Sequence, residues 1–169
     1  NCYILENGSV FTAGLGTDGQ LGVFIDTNVE NSILVSKKSN EESDNGEQVD
    51  ENEEVLEKYC FLHQIKTFGP HNKATKVSCG DSYTLVLNGK NNMEKTIIEK
   101  HLVYSFGKSS YFRLGHPDIP KSENVYEPKI IEGLRDHKVV SISAGCRHAA
   151  CVTAKGDLYC WGFNFYDQL

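Results

Sequence analysis

The sequence predicts an all-β chain built from repeated blades of antiparallel strands. Three observations carry this. Segments recur in register along the chain, and the recurring pieces are short, β-rich and punctuated by glycine. No stretch keeps a helical period.

The first recurring piece is a hydrophobic-aromatic strand that ends in glycine. Val10-Phe11-Thr12-Ala13-Gly14 runs on to Gln20-Leu21-Gly22, and Val103-Tyr104-Ser105-Phe106-Gly107 runs on to Arg113-Leu114-Gly115. Leu158-Tyr159-Cys160-Trp161-Gly162 runs on to Gln168-Leu169. In each copy a Leu follows the first Gly at the same distance: Leu21, Leu114 and Leu169. Val77 to Leu87 and Ile142 to Val152 repeat at a shift of 65 residues. Both copies place a glycine, Gly80 or Gly145, between two strands, where a tight turn is expected. Gly156 is expected at positive φ in a short hairpin between strands at 148–153 and 157–161. The underlying period is about 55 residues, close to that of propeller-type repeats.

These spacings divide the chain. Residues 1–35 hold the opening strands of a first repeat. Residues 36–58 are an acidic insert whose composition predicts a disordered loop. Residues 59–100 complete the first repeat, with a long Lys- and Asn-rich loop at 88–100. Residues 101–155 form a second repeat, and 156–169 begin a third.

The net charge of −6 belongs to one segment. Residues 41–57 hold nine of the 23 acids and no Lys or Arg, leaving 17 bases against 14 acids elsewhere. A mildly basic body gives no case for direct nucleic-acid binding. The insert is a candidate site for a basic partner. No window approaches the length of a membrane span, so no membrane partner is expected. Asn1 comes first and Met93 is the only Met, so the sequence is expected to be part of a longer polypeptide.

The six Cys show no C-x-x-C spacing. Most sit among apolar residues and are expected to be buried, reduced thiols, which suits an intracellular protein, cytoplasmic or nuclear. Asn7-Gly8-Ser9 is a formal glycosylation sequon, read as chance. Gly14-Leu15-Gly16-Thr17-Asp18-Gly19 matches G-x-G-x-x-G. The aligned copy at 107–112 loses the later glycines, so a repeat turn explains it better than phosphate binding. His148 lies near Cys146 and Cys151 in sequence but faces away from Cys151 on a strand, which argues against a metal site. No catalytic, cofactor-binding or metal-ligating residue is expected.

A strand ending in Trp/Phe-Gly, then Gln-Leu-Gly, then Ser-x-Gly-x-x-His before another strand, resembles the repeat of the regulator of chromosome condensation family. Gly156-Asp157-Leu158-Tyr159-Cys160-Trp161-Gly162 is closest to that pattern, and Pro128-Lys129-Ile130 matches its Pro-x-Val/Ile element. The resemblance implies a β-propeller, seven-bladed when complete. Its structural positions here are Gly14, Gly22, Gly80, Gly107, Gly115, Gly145, Trp161 and Gly162. Tyr83 departs from the repeat's His, Arg113 from its Gln, and His63 stands where Pro128 does.

The resemblance also implies a function class. It points to a non-catalytic protein-interaction platform, with guanine-nucleotide exchange on a Ran-like small GTPase as one alternative and an accessory propeller of a ubiquitin ligase as another. Candidate partner-contact turn residues are Asp81, Tyr83, Arg147 and His148. A light-sensing branch of the family carries Trp in this turn. Cys146 stands there, and Trp161 is the only Trp.

Overall fold

A computed structural model describes residues 1–23, 62–89 and 101–169. The acidic insert at 36–58 and most of the 88–100 loop lie outside the described residues.

The described strands form three antiparallel sheets. The first sheet holds β1 (Cys2–Ile4), β2 (Val10–Thr12) and β3 (His63–Ile65). The second is a four-stranded meander of β4 (Ala74–Cys79), β5 (Tyr83–Asn88), β6 (Val103–Gly107) and β7 (Val125–Ile130). The third holds β8 (Val139–Ala144), β9 (His148–Thr153) and β10 (Leu158–Gly162). The only helical elements among the described residues are single 3₁₀ turns at Ser110–Phe112 and Glu132–Leu134. The strand pairs β4/β8 and β5/β9 keep the 65-residue shift, and β6/β10 the 55-residue shift. Pro128 lies in β7, an edge strand, where a missing N–H costs the ladder nothing.

The sheets stack face to face. All six residues of β5 are buried. Tyr83, Leu85 and Leu87 face a core shared with Val139, Ala149 and Cys151 of the third sheet. Val86, with Tyr104 and Phe106 of β6, faces a second core shared with Val10 and Ile65 of the first sheet. The equivalent strand β9 alternates half-buried and buried residues instead. Its buried set, Ala149, Cys151 and Thr153, faces the second sheet, and among the described residues nothing covers the opposite face. Two equivalent strands thus differ in burial because of their neighbours and not because of their own propensity.

Repeated polar contacts lock each strand to the loop that follows it. Thr12 Oγ1 donates to the Leu21 carbonyl at 2.6 Å, and Ser105 Oγ donates to the Leu114 carbonyl at 2.7 Å. Gly14, Gly107 and Gly162 hold φ of 117°, 115° and 111°, a region closed to other residues, so each strand ends at its glycine. Five positions later in the repeat, Gly19, Phe112 and Asp167 also share a positive φ. The Asn7-Gly8-Ser9 sequon is the β1–β2 hairpin turn, in which Asn7 Oδ1 accepts the Ser9 N–H at 3.0 Å.

Gly80 and Gly145 lie in tight turns between strands, as expected, though not at positive φ. Crowding explains the glycine: a Cβ on Gly80 would collide with the Tyr83 ring and sit 2.5 Å from the Gly145 carbonyl oxygen, and one on Gly145 would sit 2.6 Å from the His148 ring. One expectation needs correction: the thiols are less buried than expected. Only Cys151 is buried among those described, while Cys79, Cys146 and Cys160 are exposed and Cys2 is half-buried. Cys79 closes a strand, Cys146 sits in a turn and Cys160 lies on the outer strand β10, and none of these places is a packed interior.

His116 extends the polar lock after β6. Its Nε2 lies 2.9 Å from Ser105 Oγ. The Ser105 hydroxyl already donates to Leu114, so His116 carries its proton on Nε2 and donates it. Burial, then the nearby Lys129, lowers its pKa from 6.5 to about 4. A depressed histidine contributes stability that is complete above 6.5 and is lost as pH falls toward 4. Acid titration of unfolding free energy should show a loss of about 3 kcal/mol across that window. His116→Gln keeps a donor and should flatten that component. An unchanged pH profile in the variant would assign the loss to another group.

Candidate functional site

The turns β4–β5 and β8–β9 lie side by side at one end of the sheets. One backbone bond joins them, with the Asp81 N–H donating to the Cys146 carbonyl at 3.1 Å, and the strands leading into them are joined by the Ala144 N–H, which donates to Ser78 Oγ at 2.8 Å. Tyr83 completes the seam. It is 1% exposed, and its hydroxyl lies 2.6 Å from the His148 carbonyl and 3.1 Å from that of Gly145. A phenol has one proton to give, so the two carbonyls share it. The ring fills the space that Gly80 leaves, as the His148 ring does beside Gly145. Burial pushes the Tyr83 phenol above its ordinary range, with the Arg113 guanidinium opposing.

The structure separates the four candidate contact residues. Asp81 and Arg147 are exposed, His148 is half-buried, and Tyr83 is buried in the seam. The side chain that hydrogen-bonds across to the next blade here is Tyr83, which donates to the His148 carbonyl. Trp161 lies at the seam between the second and third sheets, and its indole N–H donates to the Arg113 carbonyl at 3.0 Å.

Arg113 and Tyr111 are site residues that the sequence reading did not select. Gln20 and Gln168, the equivalents of Arg113, each accept a hydrogen bond from the backbone N–H two residues earlier. A guanidinium cannot accept. Arg113, 2% exposed, donates instead to the Ser110 carbonyl at 2.9 Å, to Ser110 Oγ at 2.9 Å and to the Asp81 carbonyl at 2.7 Å. It therefore ties the loop after β6 to the candidate turn. Burial lowers its pKa, and the Asp81 carboxylate opposes that shift. Its guanidinium also lies 5.6 Å from the centroid of the Tyr111 ring, and Arg147 approaches the same ring at 5.3 Å. The Arg-for-Gln exchange in an otherwise aligned repeat was the signal.

The glycine-rich run at 14–19 leads into the turn that buries Leu21. Among the described residues, no group of three His, Cys, Asp or Glu is placed to hold a metal ion, and no helix is long and apolar enough to cross a membrane. The end surface instead offers opposite charges and aromatic rings on a stiff backbone.

The Regulator of chromosome condensation (RCC1) repeat matches residues 100–152 and again 139–168. The human E3 ubiquitin-protein ligase HERC2 is 33% identical over 93 residues, which are 55% of this chain and 2% of that protein. The secretion-regulating guanine nucleotide exchange factor of Bos taurus is 31% identical over 162 residues, 96% of this chain and 25% of that protein. Among solved structures, Prp20p from Saccharomyces cerevisiae superposes with a TM-score of 0.61 at 20% identity, covering 95% of this chain and 28% of that one. The chain thus spans no more than about a quarter of the length of these two curated relatives.

The Tyr83 seam can be tested by a mutant cycle. Tyr83→Phe takes the hydroxyl donor from the Gly145 carbonyl, while the His148 carbonyl keeps the Gly145 N–H, and should cost about 1–3 kcal/mol in urea unfolding. Gly80→Ala should cost about as much through overpacking against the ring and against the Gly145 carbonyl oxygen, 2.5 Å from the added Cβ, and a Tyr83→Ser background should relieve only the share due to the ring. Equal costs in both backgrounds would assign the whole cost to the carbonyl. The repeat matches, the shared register and the stacked antiparallel sheets make the chain a regulator of chromosome condensation repeat protein, folded as blades of a β-propeller.

Proposed function

We propose that the chain is a non-catalytic protein-interaction module whose contact surface is the end formed by the β4–β5 and β8–β9 turns. One observation carries this. Asp81 and Arg147 are exposed with opposite charges on adjacent blades, while the backbone beneath them is cross-linked through the Asp81–Cys146 and Tyr83–His148 bonds. A surface held this way presents charge without paying a large ordering entropy on binding. Such paired charges favour orientation and partner choice more than raw affinity.

Exchange on a Ran-like small GTPase is the second reading, and it draws support from the relatives. The aligned Bos taurus protein is named as a guanine nucleotide exchange factor, and the Prp20p structure is described with binding to Gsp1p and histones. Exchange requires only that the nucleotide-free GTPase be bound more tightly than the loaded one, and no proton-transfer residue is needed. An accessory propeller of a ubiquitin ligase would also fit the platform reading, in line with the HERC2 match.

Two assays separate the readings. Labelled GDP release from Ran is measured with the wild-type protein. Partner capture is then compared between wild type and an Asp81→Lys/Arg147→Glu double variant. The platform reading expects no acceleration of release. It also expects the captured set to collapse in that variant and in Arg147→Glu alone, which leaves the Asp81 carboxylate beside buried Arg113 and should keep its melting temperature within a few degrees of wild type. Acceleration of release by more than about tenfold, which is 1.4 kcal/mol of barrier, would make exchange the function.

A further inference from the structure

The loop after β6 presents two strained, exposed rings at the end surface. Tyr111 and Phe112 are consecutive, and both lie at positive φ, 63° and 56°. Bulky side chains avoid this region because their Cβ crowds the backbone. The other copies of the repeat relieve the second position, with Gly19 and Asp167 where Phe112 stands, and only this copy puts the first position at positive φ. The strain is not returned as burial, since Tyr111 is 43% exposed and Phe112 46%. The repeat does not require the rings either. Tyr111 meets Phe163 with ring centroids 5.0 Å apart, whereas their equivalents at the first seam, Asp18 and Lys108, form an ion pair at 3.4 Å.

Cations flank the rings. The Arg147 guanidinium lies 5.3 Å from the Tyr111 centroid, and the Lys121 ammonium lies 4.6 Å from that of Phe112. Both residues are exposed, and neither forms an ion pair with a described residue. The adjoining turn carries one exposed acid, Asp81, whose carboxylate lies 3.8 Å from the Cys146 thiol. We propose that Tyr111, Phe112, Lys121 and Arg147 form a docking site for an acidic segment of a partner protein, one that carries an apolar anchor among its carboxylates. The inference rests on the interaction-module reading and names the chemistry of the partner.

Charge and shape both point this way. Carboxylates match the two cations that lack an ion-pair partner here, and a basic segment would meet like charge at each of them. An apolar anchor would cover ring area that now faces water, and aromatic rings beside Arg are the groups that most often carry binding energy. The loop is also held before any partner arrives. Arg113 ties it to the Ser110 and Asp81 carbonyls, and Tyr111 leans on Phe163. Rings fixed in this way lose little freedom on binding. Strained backbone that persists because its surroundings hold it is a common feature of ligand clamps.

The test is binding of defined peptides. Thermophoresis of the labelled full-length protein is read against a peptide with a single Trp among glutamates, up to about 1 mM. This peptide should bind at least about tenfold more tightly than versions with Lys for Glu or Ala for Trp, and its affinity should fall as salt rises. Phe112→Gly restores the first repeat's residue and relieves the strain. It should melt no lower than wild type and bind the acidic peptide at least about tenfold more weakly. No binding at the highest concentration, equal affinity for the Lys peptide, or full affinity in Phe112→Gly overturns the proposal. A single-stranded oligonucleotide that outcompetes the peptide overturns the assignment of a protein partner. Should Phe112→Gly unfold, Lys121→Gln and Arg147→Gln decide, because undiminished affinity in both also overturns the proposal. Loss of captured partners in Arg147→Glu without binding of the acidic peptide overturns this inference and leaves the interaction-module reading in place.

Discussion

The constraint on which everything else rests is that a blade has two apolar faces and cannot bury either alone. β5 meets it fully: odd-numbered residues go to one neighbour, even-numbered residues to the other, and none is exposed. Burying a strand this way takes its backbone and every polar side chain out of water, so each polar group in the seam must find a partner. Thr84 at the β4–β5 end donates to the Gln20 carbonyl of the first sheet's loop, and Trp161 donates to the Arg113 carbonyl in the next seam. The same carbonyl position of the repeat is satisfied twice by unrelated donors. Packing forces the bond, and the repeat leaves the choice of donor open.

That freedom explains why the copies diverge without losing the fold. Tyr83 replaces a histidine and keeps both the ring against Gly80 and a donor to the next blade. Arg113 replaces a glutamine that would accept from the backbone, and it cannot do so. It redirects the loop's bonding to Ser110 and Asp81 and makes a second connection between loop and turn. Each substitution conserves the burial of the position and changes only the direction in which hydrogen bonds run. A buried guanidinium with three acceptors is tolerable, whereas one with none would not be.

The strands and their order were legible because they rest on glycine-anchored spacing. Gly14, Gly107 and Gly162 share one backbone conformation that other residues avoid, so three strands could be aligned without gaps. The turns at Gly80 and Gly145 were legible, but the reason each is glycine was not: the space a Cβ would need is taken by a ring three residues later and, at Gly80, by the Gly145 carbonyl as well. Burial of the thiols was misread for a related cause. Apolar neighbours in sequence say little about a residue at a strand end such as Cys79 or on an outer strand such as Cys160, because the covering blade comes from elsewhere in the chain. Arg113 and Tyr111 were illegible as a site because their contacts run to residues some thirty positions away, at Asp81 and Arg147.

The division between seam and surface also bears on function. The bonds that fix the end of the sheets use main-chain groups at Asp81 and Cys146 and carbonyls at Gly145 and His148. None of these bonds uses the side chain of Asp81, Cys146 or Arg147, whose own contacts, Cys146 Sγ to Asp81 Oδ2 at 3.8 Å and Arg147 over the Tyr111 ring, are additional to them. A change in one of those side chains therefore leaves the main-chain bonds of the turn in place. A scaffold held by backbone contacts, with side chains free to vary at its end, lets one fold host many partners, and this is why the repeat identifies the architecture more sharply than the role. In this chain the free positions carry an acid, a base and a thiol. Their chemistry, and not the propeller itself, sets what the surface will accept.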